Sequence, residues 1–282
     1  MSASRSFHLT DLKATMAQVS TQIRDNPAEP KHRVFFFQLL SIAGQWDRAL
    51  TQLNVLRDMS PEMMSLAQTY QETLSCEALR QQVFSGKRAP LLFGEPEAWM
   101  ALVFESLKLQ SNGNLPEALE LRAKALDDAP ASSGCITLFP EGSTSEEKIP
   151  PKVESFGWVA DADSRIGPFL EAIINGKYFW VPFHRIRTVS MEKVSDLRDM
   201  VWLPARFEWA NGGEMVGFIP TRYPESESQS DDQVRIGWKT IWDQVGEDTY
   251  IGYGQRLLTT DVDEYPLTQI SKIELTHEQM NG

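Results

Sequence analysis

Apolar residues recur at a helical period through the first half of the chain and gather into short aromatic or β-branched runs through the second. Residues 9–23, LTDLKATMAQVSTQI, place Leu9, Leu12, Met16, Val19 and Ile23 at intervals of 3, 4, 3 and 4. That spacing puts all five on one face of a helix. Asn26-Pro27 then stops it.

A longer period lies over the first. GQWDRALTQLNVLRDMSP spans residues 44–61 and GNLPEALELRAKALDDAP spans residues 113–130. In each, the Gly is followed five residues later by Ala (Ala49, Ala118) and twelve residues after that by Pro (Pro61, Pro130). A degenerate third copy lacks the Gly and runs from Ala78 to Pro90. Gly permits a tight turn between helices, Ala lets them approach, and Pro ends the second one. The spacing resembles the tetratricopeptide repeat, with its period of ~34 residues, although the Ala-to-Ala intervals here are 29 and 40. A TPR-like array of helical hairpins is therefore expected over residues 1–130, with Val34, Phe36, Leu39 and Leu40 facing inward. A stacked array can curve around a peptide or helix, which makes Phe35 and Phe36 candidates for partner contact.

Residues 131–152, ASSGCITLFPEGSTSEEKIPPK, are rich in Ser, Gly, Pro and Glu and read as a linker or mobile loop. Beyond them lie six of the eight tryptophans. Strands are expected at 155–160, 177–183, 185–192, 201–210, 214–220, 234–241, 249–258 and 268–275. Asn211-Gly212-Gly213 looks like a hairpin turn between two of them. Helices are expected at 167–175, ended by Asn175-Gly176, and around 195–200. The fold class is thus an N-terminal TPR-like helical domain followed by a mostly antiparallel, β-rich α+β domain over 153–282.

Charge narrows the partners. Residues 1–130 carry 13 basic and 15 acidic side chains; residues 131–282 carry 14 and 24, a net of −10. Such a surface repels phosphate backbones, so nucleic acid and anionic membranes are poor partners and a basic protein segment is a better one. No apolar run approaches the ~20 residues of a membrane span, and MSASRSFHLTDLK has no signal-peptide pattern. Cys76 and Cys135 lie far apart in dissimilar contexts. A cytoplasmic protein without a cofactor is expected.

The densest stretch is DADSRIGPFLEAIINGKYFWVPF, residues 161–183. Asp161 and Asp163 invite a Ca²⁺ loop, but counting from Asp161 the fifth, sixth and twelfth positions are Arg165, Ile166 and Ala172, where an EF-hand needs an oxygen ligand, Gly and Glu. A glycosidase- or protease-like acid pair is disfavoured, since neighbouring arginines hold carboxylates ionised. Gly252-Tyr253-Gly254 lacks the third Gly and following helix of a dinucleotide loop. The histidines at 8, 32, 184 and 277 have no metal-ligand spacing, and no nucleophile elbow, P-loop or HExxH is present. Arg165, Arg198, Arg222 and Arg256 are expected in a buried salt-bridge network. An enzyme built on an Asp/Arg pocket of the second domain is the alternative.

DADSRIGPFLEAIINGKYFWVPFHRI, LRDMVWLPA, IPTRYP, KTIW and GYGQRLLTTD occur in this order, and together they resemble the ImpE/TagJ family, the SciE-type virulence proteins of type VI secretion gene clusters. The resemblance implies a non-enzymatic adaptor, cytoplasmic in bacteria. It implies binding to the N-terminal segment of the small contractile-sheath subunit and contact with the ClpV-type AAA+ ATPase that dismantles the sheath. No catalytic residue is implied. The expected contact face lies near Asp161, Asp163, Arg165, Phe179 and Trp180, with Phe35 and Phe36 second.

Overall fold

The computed structural model describes residues 11–140 and 150–277. Its helical half holds α1 (Leu12–Asp25), α2 (Pro30–Ile42), α3 (Trp46–Met59), α4 (Met64–Phe84), the short strand β1 (Leu91–Leu92), α5 (Ala98–Ser111) and α6 (Leu115–Asp128). Asp11 caps α1 by accepting from the Ala14 amide at 2.8 Å, and Leu12 and Val19 are buried as the periodicity predicts. Leu9 lies outside the described residues.

The repeat pattern marks two real hairpins. Gly44 and Gly113 turn between α2 and α3 and between α5 and α6 with φ of +65° and +84°, and Ala49 and Ala118 are fully buried. The third copy is not a hairpin. Ala78 sits in the middle of the continuous, 21-residue α4 and faces solvent. After α4 the array is interrupted, because β1 joins the sheet of the other half.

That half contains β2 (Gly134–Leu138), β3 (Val153–Phe156), β4 (Val159–Asp161), β5 (Phe169–Ile174), β6 (Lys177–Pro182), β7 (Ile186–Met191), β8 (Trp202–Trp209) and β9 (Glu214–Pro220). The short α7 (Asp232–Ile236) follows, then β10 (Thr240–Gly246), β11 (Thr249–Gly254), β12 (Leu257–Thr260), β13 (Glu264–Pro266) and β14 (Ile270–Leu275). Nine strands form one sheet in the order β1-β6-β5-β9-β8-β7-β14-β2-β3. All its pairings are antiparallel except β1 with β6. A three-stranded sheet β13-β12-β4 and the hairpin β10-β11 complete the half.

Three expectations are corrected. The segment expected as a helix, 167–175, holds strand β5 instead. All six residues of β5 are buried, and a short continuous apolar run fits a doubly covered strand as well as a helix. Asn175 and Gly176, with φ of +50° and +69°, form the two-residue turn that joins β5 to β6, as a type I′ hairpin requires. Residues 234–241 are not one strand: α7 ends at Gly237 in the left-handed region, and β10 starts at Thr240. Within the expected linker, β2 pairs with both β14 and β3; residues 141–149 lie outside the described residues. The short helix expected around 195–200 is a 3-10 turn at Leu197–Met200, closed by a reciprocal Asp196–Asp199 capping box.

Alternation along β5 and β6 divides the interior. Leu170, Ala172, Ile174, Val181 and Phe183 face a core shared with Leu258, Leu267 and Ile273. Phe169, Ile173, Tyr178 and Trp180 face the other way, into a core that also contains Phe37, Leu39, Leu74 and Trp99 of the helices, with Trp202 at its centre. The helical half and the sheet thus share one hydrophobic core. Burying each ring of this size contributes roughly 2–3 kcal/mol.

Candidate functional site

The dense aspartate segment lies against this helix–sheet junction. Asp161 ends β4, and its Oδ1 accepts from the Asp163 amide at 2.9 Å. The Oδ1 of Asp163 accepts from the Arg165 amide at 2.8 Å. Both side chains therefore shape their own turn, as short polar side chains do where the backbone needs a local acceptor. The remaining capacity of Asp163 goes to the Arg165 guanidinium (Nη2 to Oδ2, 2.6 Å) and the Gly252 amide (2.9 Å). The Arg165 guanidinium in turn lies 5.1 Å from the centre of the Phe84 ring on α4.

Glu171 is the hub. It projects from β5 towards the helices and is fully buried. Arg80 of α4 grips it through Nε at 2.6 Å and Nη2 at 3.0 Å, a bidentate pair. Arg256 bridges Glu171 and Asp161, and the Tyr178 hydroxyl donates to Glu171. Trp180 donates to Tyr178 at 2.6 Å, and Trp202 to Glu77 at 2.7 Å. Arg222 reaches into the C-terminal end of α2, donating to the carbonyls of Ile42 at 2.9 Å and Ser41 at 3.2 Å. The Arg222 carbonyl accepts from Arg80 at 2.8 Å. Four carboxylates (Glu77, Asp161, Asp163, Glu171) and four guanidiniums (Arg80, Arg165, Arg222, Arg256) are buried together. Arg80, Arg165 and Arg256 are paired with these carboxylates, whereas Arg222 donates only to backbone carbonyls and Arg122, buried beside Asp163 and Arg165, donates to Gln110, so burial lowers both of these guanidiniums to about 10.

The environment separates the carboxylates. Burial would raise Glu171, but Arg80 and Arg256 outweigh it and bring the carboxyl down to about 2. Asp161, with Arg256 and one backbone amide, is pushed by burial up to about 7. Burial raises Glu77 as well, against the pull of Arg80.

Five of the seven sequence candidates therefore do not form a surface. Asp161, Asp163, Arg165, Trp180 and Phe36 are buried, Asp163 and Arg165 in an ion pair with each other, Asp161 in one with Arg256, and the rings in the helix–sheet core. Phe179 is half-buried on the opposite face of β6, against Phe93. Phe35 is half-buried beside Met63, lining a shallow cavity on the helical half. Arg198 lies outside the expected network, paired with Asp196 at 2.7 Å over the Tyr70 ring.

Sequence reasoning missed Arg80, Glu77 and Glu171. A lone Glu inside FLEAII and a Glu-Arg pair three apart on the buried side of a helix were the available signals, since an unpaired charge there would be prohibitive. The five motif strings that carry the family resemblance meet here: they supply Glu171, Trp202, Arg222, Trp242 and Arg256. Trp242 packs on Tyr223, beneath Arg256.

Beside the junction the same sheet face opens into a groove of about 700 Å³. It exists because β9 outruns β5. β8 pairs with β9 along its whole length, whereas β5 meets it in register only at Ile173 and Phe218. Among the described residues, Glu214–Val216 have no strand on that side. Val216 is 67% exposed. Thr69, Glu72 and Thr73 of α4 form one wall, the Asn175-Gly176 turn a second, and Pro204, Arg206, Val216 and Phe218 the floor. Among the described residues no group of three His, Cys, Asp or Glu side chains is placed to hold a metal ion, and no helix is long and apolar enough to cross a membrane.

Comparison with known proteins shows similarity in family, sequence and fold. A family model described as ImpE protein matches residues 153–274. The type VI secretion system accessory component TagJ of Pseudomonas aeruginosa is 39% identical over 263 residues, which cover 93% of this chain and 87% of that protein. The crystal structure of protein VPA1032 from Vibrio parahaemolyticus has a similar fold, with a TM-score of 0.81 over 95% of each chain at 22% identity.

Proposed function

The chain belongs to the ImpE/TagJ family, and on that premise we propose that it is a non-enzymatic accessory adaptor of the type VI secretion system. In this reading it binds the N-terminal segment of the small contractile-sheath subunit and contacts the ClpV-type ATPase during sheath disassembly. The observation that carries the reading is the groove. It is open, floored by apolar side chains, and edged by a strand whose outer side is unpaired. Such a site takes a short segment either as a helix laid in a groove or as an added strand. The paired, sealed aspartates argue against the Asp/Arg pocket as a reaction centre, because a substrate would have to break balanced buried ion pairs to reach them.

The test is fluorescence anisotropy with a labelled peptide spanning the N-terminus of the small sheath subunit. A Kd of micromolar or tighter is expected. Absence of binding at ~1 mM, where the interaction would be worth only ~4 kcal/mol, overturns the assignment.

A further inference from the structure

A second cavity, of about 420 Å³, lies between α1, the end of α2 and the start of α3. Its apolar lining residues include Leu12, Met16 and Phe36, of which Met16 is half-buried and the other two are buried. Its charged lining residues are Lys13, Arg48 and Arg235, with no carboxylate among them. Arg235 is neutralised by Asp232 at 3.1 Å, and Glu227 approaches the rim at Gly44. Lys13 and Arg48 have no carboxylate partner among the described residues. Lys13 is exposed on α1, and Arg48 rests its guanidinium 5.5 Å from the centre of the Phe36 ring while donating to Gln45.

This is unusual in a chain of net charge −12. The larger groove has the reverse lining, with Glu72 and Glu192 against Arg206. A folded surface leaves two cations beside an apolar lining at the cost of mutual repulsion, and an incoming carboxylate relieves it. We infer that the α1–α3 cleft is a second docking surface, and that its occupant is an acidic protein segment carrying an aliphatic side chain. The carboxylates pair with Lys13 and Arg48, and the aliphatic group packs on Met16, which is half-buried. Nucleic acid is the poorer occupant, since the remaining acidic surface repels a continuous phosphate backbone. The inference stands apart from the sheath reading, because it rests on a different cavity of opposite charge.

The experiment uses the full chain and three labelled twelve-residue peptides of Leu alternating with Glu, Gln or Lys, read by fluorescence anisotropy in 50 mM and 200 mM salt. The Glu peptide is expected to bind at least tenfold more tightly than the Gln or Lys peptide, and to weaken as salt rises. The double substitution Lys13→Glu, Arg48→Glu is expected to remove at least tenfold of that affinity, with the melting temperature unchanged. Equal affinity for the Glu and Gln peptides overturns the proposal, as does a double variant that binds the Glu peptide normally. Displacement of the Glu peptide by equimolar oligo(dT) overturns it too, since the cleft would then be a general polyanion site.

Discussion

The helix–sheet junction and the groove beside it share one face of one sheet, yet they are built from opposite residue types. At the junction, Glu77, Asp161, Asp163 and Glu171 are buried and paired with Arg80, Arg165 and Arg256. In the groove, the floor is Pro204, Arg206, Val216 and Phe218, its charged lining is open to solvent, and the strand edge is bare. The contrast teaches that chemically dense sequence does not mark the working surface. Ionic groups on two elements can lock those elements at one geometry only if they are sealed and mutually satisfied. A partner segment, by contrast, needs accessible apolar area and unpaired main chain.

The comparison breaks most severely at its hub. Glu171→Ala leaves Arg80 and Arg256 without their shared carboxylate inside the core. A loss of about 3–5 kcal/mol is expected, as for other buried pairs cut on one side, measured by urea denaturation. A change below ~1 kcal/mol would mean that water reaches the cluster in solution and that the junction is not sealed.

Acid tests the same hub more gently. The folded value of Glu171 is about 2 against an ordinary 4.5. A depressed carboxyl binds fewer protons when folded, so its stabilisation is complete above pH 4.5 and lost as pH falls towards 2. That gap corresponds to about 3 kcal/mol. Denaturation curves between pH 5 and 2.5 should show wild type losing its advantage over Glu171→Gln. Parallel curves for the two proteins would remove Glu171 from the hub.

These two regions were unequally legible. Helix α1 and the α2–α3 and α5–α6 hairpins follow from local spacing, because apolar periodicity and the Gly-Ala-Pro pattern act within twenty residues. The buried state of Arg165, Arg222 and Arg256 was also readable, since several arginines in turns of an acidic half need partners. Asp161 and Asp163 were legible as partners for neighbouring arginines, and they pair with Arg256 and Arg165, but the Arg80–Glu171 pair was not: its members lie 91 residues apart, and no local pattern links them. β5 was misread because its two faces are both covered, one by helices and one by sheet, which erases alternation. The Asn-Gly turn at 175–176 was the signal that could have settled it. The groove was invisible because it depends on where one strand ends relative to its neighbour. That is a register fact with no sequence signature.

At the groove the expected effect moves from stability to binding. Val216→Asp places a charge on the exposed floor beside the free strand edge. Stability should stay within ~0.5 kcal/mol of wild type, as is usual for an exposed position. Affinity for the sheath-subunit peptide should fall at least tenfold by anisotropy. Unchanged affinity would move the peptide away from this groove and detach the two regions from each other.

The smallest effect comes from the one element that belongs to both. Gly176 closes the β5–β6 turn at the junction and lines the groove wall. Its φ of +69° is strained for any residue with a Cβ, and a Cβ there would come within 2.9 Å of the Glu72 carboxylate on α4. The backbone strain of Gly176→Ala costs about 1 kcal/mol. The carboxylate can swing aside, but the Glu72 Cβ would lie 3.1 Å away and must give by a few tenths of an ångström. A drop of roughly 2–4 °C in melting temperature is therefore expected for a chain of this size. Peptide affinity should change by less than about threefold, because the turn shapes the wall while the strand edge and floor make the contact. A tenfold loss of affinity at unchanged melting temperature would reverse that assignment and make the hairpin turn the recognition element. The turn would then be a part of the groove first and of the junction only second.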